Sequence, residues 1–308
     1  MSIKNKNKFI VYSPEYDENS GGSIALHRLC DLINRAGHEC YLQPVDWVSF
    51  QSGTLKKTRQ LCRALLNKIT NHKFKTNPKF ITPIAKKEYI DDAIVIYPEI
   101  IKNNPLRSKK VVRWLLYKIS PDDPILNNSK DLFFYYQEAF NIKSKNKIIN
   151  VGGQLQAIYV LDEIYKNNNN NNRIGTCYAI RKGKGKNIIH NNKESILIDN
   201  LDHKQISKIF NKSEIFISYD SYTMYSNYAA MCGCISIVVP DPGLDKNKWQ
   251  PTEDLRLGVA YGFDDTEWAK QTASKVGEFL KKQETEKNKS IINFIETCNE
   301  YFSSNRNF

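Results

Sequence analysis

The hydrophobic pattern of this chain states one theme and then repeats it. KFIVYS is a short unbroken apolar run. After the polar stretch PEYDENSGGS comes IALHRLCDLINRAGH, in which Ile24, Leu29, Leu32, Ile33 and Ala36 recur at three- and four-residue steps. The first pattern predicts a buried strand and the second an amphipathic helix, with Gly37 standing where a helix C-terminal cap belongs. ECYLQP reads as a second strand, and DDAIVIYPE, KKVVRWLLY and KDLFFYYQ follow as further strands between turn residues. The theme restarts later: RIGTCYAI, ESILID, SEIFISYD and CISIVVPD are strands, and HKQISKIFNK and the tyrosine ladder of SYTMYSNYAAM are helices between them. LGVAYGF supplies a last short strand, and TEWAKQTASKVGEFLKK and SIINFIETCNEYF close the chain as amphipathic helices.

Strands alternating with helices predict parallel sheets wrapped by helices. A chain of 308 residues accommodates two such domains. The expected fold is therefore α/β: two Rossmann-like domains facing a cleft, residues 1–165 and 166–308, with the terminal helices in the second. The unbroken run Asn167 to Asn172 cannot build a core and is expected as a disordered surface loop near the domain junction. Ligands of such sheets bind at the carboxyl ends of the strands, so chemistry is sought there.

Charge narrows the partners. The net charge of +12 implies an anionic partner. From Trp47 to Lys87 there is no acidic residue, and LKKTRQLCRALLNKIT places Leu55, Cys62, Leu65, Leu66 and Ile69 at helical spacing among basic residues. Residues 55–75 read either as a solvated basic helix or as a peripheral contact with an anionic membrane. No nucleic-acid motif accompanies them. The longest apolar runs fall far short of the roughly 18 residues of a membrane span, and MSIKNKNKFIVYS runs from basic residues straight into a strand without a signal peptide. The cysteines (30, 40, 62, 177, 232, 234, 298) are odd in number and lack CxxC or Cys/His ligand spacing. A disulfide framework or zinc site is not expected, and a reducing cytoplasm is.

Three stretches could carry chemistry. In ENSGGS, Gly21 and Gly22 would expose backbone N–H groups at a helix N-terminus, where the macrodipole favours an anion; a tight strand-to-helix turn is the structural alternative. In CYAIRKGKGKNIIH, Arg181, Lys182, Lys184 and Lys186 follow a strand directly, with Gly183 and Gly185 allowing close backbone approach; this suits a phosphate, though GKGK lacks the Walker spacing. In SYDSYTMYSNYAAM, a helix starting near Ser221 would put Asp220 at its N-cap and Tyr222, Tyr225 and Tyr228 along one side. The acidic pairs in DDPIL and FDDTEW read as turn and helix-start residues, so no metal site is expected.

Taken in order, these stretches resemble GT-B glycosyltransferases. The Gly-Gly loop and INRAGHECYL resemble the loop and following "GHEV" strand of that family. SEIFISYD…YAAMCGCISIVVPD is similar to its E-x7-E segment with a small-residue patch and strand, and YPEIIKNNPLRSKKVVRWLLYK is similar to a segment in bacterial-type enzymes of polysaccharide assembly. The resemblance covers nearly the whole chain. It implies an acceptor-side first domain and a donor domain that binds a nucleotide-sugar as co-substrate, without other cofactor or metal. It further implies a glycan or lipid-linked acceptor, Gly21 and Gly22 approaching the donor diphosphate, and Arg181 and Lys186 neutralising it. Asp220 falls on the first acidic position of E-x7-E; Tyr228 falls on the second, where the family holds a ribose with a carboxylate, and so departs from it. Glu15, Asp17, His27 and Glu99 are the candidate bases if the reaction inverts configuration. A nucleotide-sugar epimerase or hydrolase, and a catalytically degenerate binding module, are the alternatives.

Overall fold

The first apolar run becomes the strand around which the first sheet is assembled. β1 (Phe9–Ser13) is buried over its whole length and pairs in parallel with β2 (Cys40–Pro44) and β3 (Ile94–Pro98). Its side chains alternate between two cores, as a strand's period of two requires: Phe9 and Val11 pack on one face, Ile10 and Tyr12 on the other. The computed structural model describes residues 7–45, 73–142, 149–191 and 193–304. Most of the basic segment 55–75, with its expected helix, lies outside the described residues.

β4 (Lys110–Leu115), β5 (Leu132–Tyr135) and β6 (Asn150–Gln154) extend a wholly parallel sheet of order β2-β1-β3-β4-β5-β6. β6 was not expected, because NVGGQ has no apolar run. It is an edge strand whose register against β5 shifts between Phe133 and Phe134. Gly152 is required there, since a Cβ would lie 2.4 Å from the Phe134 ring.

α1 (Gly21–Arg35) starts at Ser20, whose hydroxyl accepts the Ser23 N–H, and ends at Ala36, followed by Gly37 at φ +80°. The β3–β4 connection has no α-helix, and the β4–β5 connection carries only the 3₁₀ turn Pro124–Asn127. Asp123 caps that turn by accepting the Ile125 N–H.

In the second part of the chain, β7 (Thr176–Ala179), β8 (Ile196–Leu197), β9 (Ile215–Ser218), β10 (Ile235–Val238) and β11 (Val259–Tyr261) form a second parallel sheet, ordered β11-β10-β9-β7-β8. α2 (His203–Lys212) is the expected HKQISKIFNK helix, opened by a capping box between Asp202 and Gln205. α3 (Met224–Met231) is the tyrosine helix; a one-turn α4 (Lys246–Trp249) follows β10. TEWAKQTASKVGEFLKK is interrupted by a 3₁₀ turn, giving α5 (Thr266–Thr272) and α6 (Val276–Asn288), and α7 (Ser290–Ser304) ends the described chain.

The chain divides into two units, Met1–Tyr159 with Glu284–Phe308, and Val160–Gln283. This differs from the expected 1–165 and 166–308 chiefly at the end of the chain. α7 packs on the first sheet, with Phe294 5.9 Å from Phe9 and 4.8 Å from Phe134 between ring centroids. It supplies the apolar cover that the helix-free β3–β4 and β4–β5 connections do not. The asparagine run is also not the loose junction expected: the Asn168 N–H donates to Asn211 Oδ1 at 2.8 Å and Asn170 donates to the Asn211 carbonyl.

Both sheets are built on one plan. Numbered within its own unit, each runs 2-1-3-4-5, the first with a sixth strand added. In that order the crevice for a ligand opens between strands 1 and 3, at their carboxyl ends. The two places to look are therefore the ends of β1 and β3 in the first unit, and of β7 and β9 in the second.

Candidate functional site

In the second unit, Ala179 and Ser218 are paired at the ends of β7 and β9. The chain leaving β7 turns at once: the Gly183 N–H donates to the Ile180 carbonyl at 2.7 Å, with Arg181 at φ +42°. A non-glycine residue in that region costs on the order of 1–3 kcal/mol and persists only when its surroundings enforce it. Two features enforce it here. Asp199, just past β8, accepts the Arg181 N–H at 2.9 Å on one carboxylate oxygen and the Ile180 N–H at 3.3 Å on the other. Gly183 lies so close to β9 that a Cβ would sit 2.1 Å from the Tyr219 carbonyl oxygen. The Arg181 guanidinium carbon then stands 5.0 Å over the ring of Tyr225 in α3.

The chain leaving β9 meets this turn. Asp220 is buried, and its carboxylate accepts the Tyr222 N–H at 3.2 Å. It does not cap α3: Thr223 does, accepting the Tyr225 N–H, so the helix begins three residues later than the sequence pattern suggested. Tyr222 is 39% exposed beside this turn, and burial, with the Asp241 carboxylate, raises its phenol. Tyr219 is buried, its hydroxyl accepting the Ile189 N–H at 2.9 Å and meeting His190 Nδ1 at 2.8 Å. These bonds anchor the far side of the 180–190 loop to the end of β9.

Lys186 was expected to face a phosphate. Its ammonium donates to the Val239 carbonyl at 2.7 Å and Ser221 Oγ at 2.9 Å, and pairs with Asp241 at 2.7 Å. An ammonium has three hydrogens, and three protein oxygens match them. Lys186 therefore straps the β7 loop to the ends of β9 and β10. Lys182 and Lys184 are exposed on the turn.

Tyr225 is buried beneath Arg181, and Tyr228 is buried further in. The Tyr228 hydroxyl accepts the Leu161 N–H at 3.3 Å, and its ring stacks on Tyr165 with centroids 4.2 Å apart. At the position where a ribose-binding carboxylate was sought, the chain has a packing residue. Asp199, Ser221, Tyr219 and Asp241 were missed in the sequence. Asp199 and Asp241 each follow a strand's carboxyl end, the one signal that could have drawn attention to them.

The first unit's crevice is lined differently. Ser23 Oγ donates to the Glu15 carbonyl and accepts the Asp17 N–H, pinning the loop from Pro14 to Ser20 over α1. Asp17 is exposed and its carboxylate accepts the Asn19 N–H, as a turn residue's does. Glu15 and Glu99 are half-buried at the ends of neighbouring strands, and Glu99 accepts the Leu116 N–H at 3.0 Å.

His27 is fully buried under the loop, its Nε2 3.0 Å from the Pro14 carbonyl and its ring stacked on Phe74. Burial lowers its pKa. The structure makes it a packing residue, which removes it from the candidate bases. Gly21 and Gly22 open α1 without positive φ; a Cβ on Gly21 would touch nothing within 4 Å, and one on Gly22 only Leu116, at 3.8 Å.

Among the described residues no cluster of three or more His, Cys, Asp or Glu is placed to hold a metal ion, and no helix is long and apolar enough to cross a membrane. The six described cysteines are free and buried, and burial raises Cys232 to about 11.

No protein-family model and no curated protein matches the chain. Similar solved structures include a sucrose-phosphate synthase from Thermosynechococcus elongatus, 9% identical over 97% of this chain and 98% of that one, TM-score 0.43. An alpha-glucosyltransferase in complex with UDP and a 13-mer DNA is 11% identical over 94% of each chain, TM-score 0.45. MurG of Acinetobacter baumannii is 8% identical over 94% of this chain and 99% of that one, TM-score 0.34. The fold assignment itself stands on the sheet order and strand register of this chain.

Proposed function

We propose that this chain is a glycosyltransferase that takes a sugar from a nucleoside-diphosphate donor held at the ends of β7 and β9. The observation that supports this most is one of position. A turn carrying Arg181, Lys182 and Lys184 leaves the first strand of the sheet and meets the Asp220–Tyr222 segment leaving the third, at the point where this strand order opens a crevice. As the bond from the anomeric carbon to the diphosphate oxygen breaks, negative charge grows on the leaving group, and the cations of that turn would stabilise it. This uses side chains rather than a metal. Tyr222, 39% exposed, offers a hydroxyl, and Asp220 a carboxylate, for the sugar or nucleoside; Lys186, Tyr225 and Tyr228 hold the frame.

The acceptor, a glycan or a lipid-linked sugar, is assigned to the first unit. Glu99 and Glu15 are the bases proposed there if configuration inverts. Gly21 and Gly22, at the start of α1 in the first unit, are proposed as an anion-binding helix N-terminus. The setting proposed is polysaccharide assembly in the cytoplasm, at an anionic membrane surface where residues 55–75 make the contact.

The test is thermal unfolding with UDP, GDP, ADP and CDP, followed by calorimetric titration with the best of them. One diphosphate is expected to raise the melting temperature, because a ligand that binds only the folded state stabilises it. Arg181→Ala is expected to remove most of that rise while melting like the wild type without nucleotide. If none of the four nucleotides stabilises the protein, the proposal fails. A binding module without transferase activity is the second reading, favoured by the packing role of Tyr228. Nucleotide binding without diphosphate release from any nucleotide-sugar and acceptor would select it.

A further inference from the structure

We infer that Asp199 is a positioning residue for the donor site: it sets Arg181 without touching the donor itself. The inference rests on the reading of Arg181 as a diphosphate contact. An acidic side chain beside a phosphate-binding turn is at first sight out of place. Its geometry resolves this, since each carboxylate oxygen accepts a backbone N–H, from Ile180 at 3.3 Å and Arg181 at 2.9 Å. The carboxylate is thereby directed at the backbone of the turn.

What those bonds hold is a conformation that arginine does not choose. Arg181 has φ +42°, in the left-handed region that L residues other than Asn and Asp enter seldom. With φ relaxed to a negative value, the Cα–Cβ direction changes and the guanidinium leaves its place over Tyr225. The turn is held at three further points: the Gly183 N–H on the Ile180 carbonyl, Gly183 against Tyr219, and Lys186 strapped to Val239 and Ser221. The Ile180–Gly183 bond closes the four-residue turn in which Arg181 and Lys182 are the central residues, and the packing of Gly183 on Tyr219 holds that turn in place. Asp199 adds a bond to the Arg181 N–H itself. It reaches the turn from β8, which among the described residues pairs with β7 alone. The short edge strand thus acquires a purpose: it carries the carboxylate that aims the arginine.

The experiment is a double-mutant cycle read by calorimetric titration with whichever of UDP, GDP, ADP and CDP the wild type binds. Asp199→Ala is expected to leave the far-UV circular dichroism unchanged and weaken nucleotide binding by about tenfold, the scale of losing hydrogen bonds to a charged group. Asp199→Asn keeps one accepting oxygen and is expected between the two. In an Arg181→Ala background, Asp199→Ala is expected to change affinity by less than about twofold, because there is no guanidinium left to aim.

Wild-type affinity in Asp199→Ala overturns the inference, and so does full additivity of the two substitutions. Failure of the wild type to bind any of the four nucleotides is a different result: it overturns the proposed function, and the role of Asp199 with it. Should Asp199→Ala unfold, Asp199→Ala/Arg181→Gly supplies the reading, since glycine adopts positive φ unaided. Recovery of folding in that pair supports the inference, and continued unfolding refutes it.

Discussion

Replacing Gly183 with alanine tests whether the Arg181 turn must lie against the end of β9. The added methyl group would stand 2.1 Å from the Tyr219 carbonyl oxygen, 2.3 Å from its carbonyl carbon and 2.7 Å from its Cβ. Favourable carbon contacts lie at about 3.5–4.0 Å, so the turn or the strand end must move by about 1 Å or more. The strand end is poorly able to give. The Tyr219 N–H donates to the Ala179 carbonyl at 2.9 Å, the Tyr219 ring is buried, and its hydroxyl is bonded to Ile189. Gly183 has no positive φ, so the penalty is one of contact and not of backbone strain.

Inserting a methyl group into such surroundings typically costs about 1–3 kcal/mol. For a unit the size of Val160–Gln283, at about 3 °C per kcal/mol, the melting temperature should fall by about 3–9 °C. The displaced turn carries Arg181 with it, so nucleotide affinity should fall as well. Scanning calorimetry and titration read the two effects. Gly185→Ala is the control: its Cβ meets nothing within 4 Å, and only its φ of +99° opposes the change, so about 1 kcal/mol is expected. A Gly183→Ala protein that melts within about 1 °C of wild type would show that the close approach to Tyr219 is not a constraint.

Gly21→Ala reverses this logic. With no neighbour within 4 Å and no positive φ, alanine should raise stability by about 0.4–1 kcal/mol by restricting the unfolded chain. A loss of nucleotide affinity alongside that gain would keep the helix start as an anion site; unchanged affinity would remove it. His27→Leu addresses pH. Burial holds the folded ring's pKa below the ordinary 6.5, so between those values the unfolded chain binds more protons and stability rises with pH. Urea unfolding of wild type should weaken as pH drops from about 7 through 6.5 toward the folded value. The leucine variant, losing the Pro14 bond, should start about 1 kcal/mol lower at pH 7 but decline less steeply. Equal slopes would refute the assignment.

The sheets were legible in the sequence because a strand buried on both faces is apolar throughout, as the central strands β1 and β3 are. β6 escaped because an edge strand is not held to that rule. The closing helix α7 was recognised as a helix but given to the wrong unit, since amphipathicity shows that a face is buried and not what buries it. Among site residues, the position of the Arg181 turn followed from the strand pattern. The roles of its members did not, because Lys186, His27 and Tyr228 bind partners 53, 13 and 67 residues away in the chain. Asp199 was overlooked for a related reason. Beside lysines, an acidic residue reads as a solvated counter-charge until its hydrogen bonds to two amides are seen.

Charge separates the two crevices where topology does not. Both units carry the same strand order, so each offers a ligand site by architecture alone. The first is approached through a loop bearing Glu15, Asp17 and Glu18, with Glu99 at the next strand end; the second through Arg181, Lys182 and Lys184. The carboxylates of the second are engaged, Asp199 by two turn amides, Asp241 by Lys186 and Asp220 by the Tyr222 N–H. Two unit charges 4 Å apart interact by about 1 kcal/mol in water and about 4 kcal/mol near a protein surface. For a diphosphate, the choice between several carboxylates and several cations therefore outweighs the half-charge of one helix N-terminus at Gly21. A neutral hydroxyl acceptor has the opposite preference: it loses nothing beside carboxylates, and one of them can take its proton. The division of labour proposed between the units, donor on the second and acceptor on the first, thus follows from side-chain charge on a repeated frame.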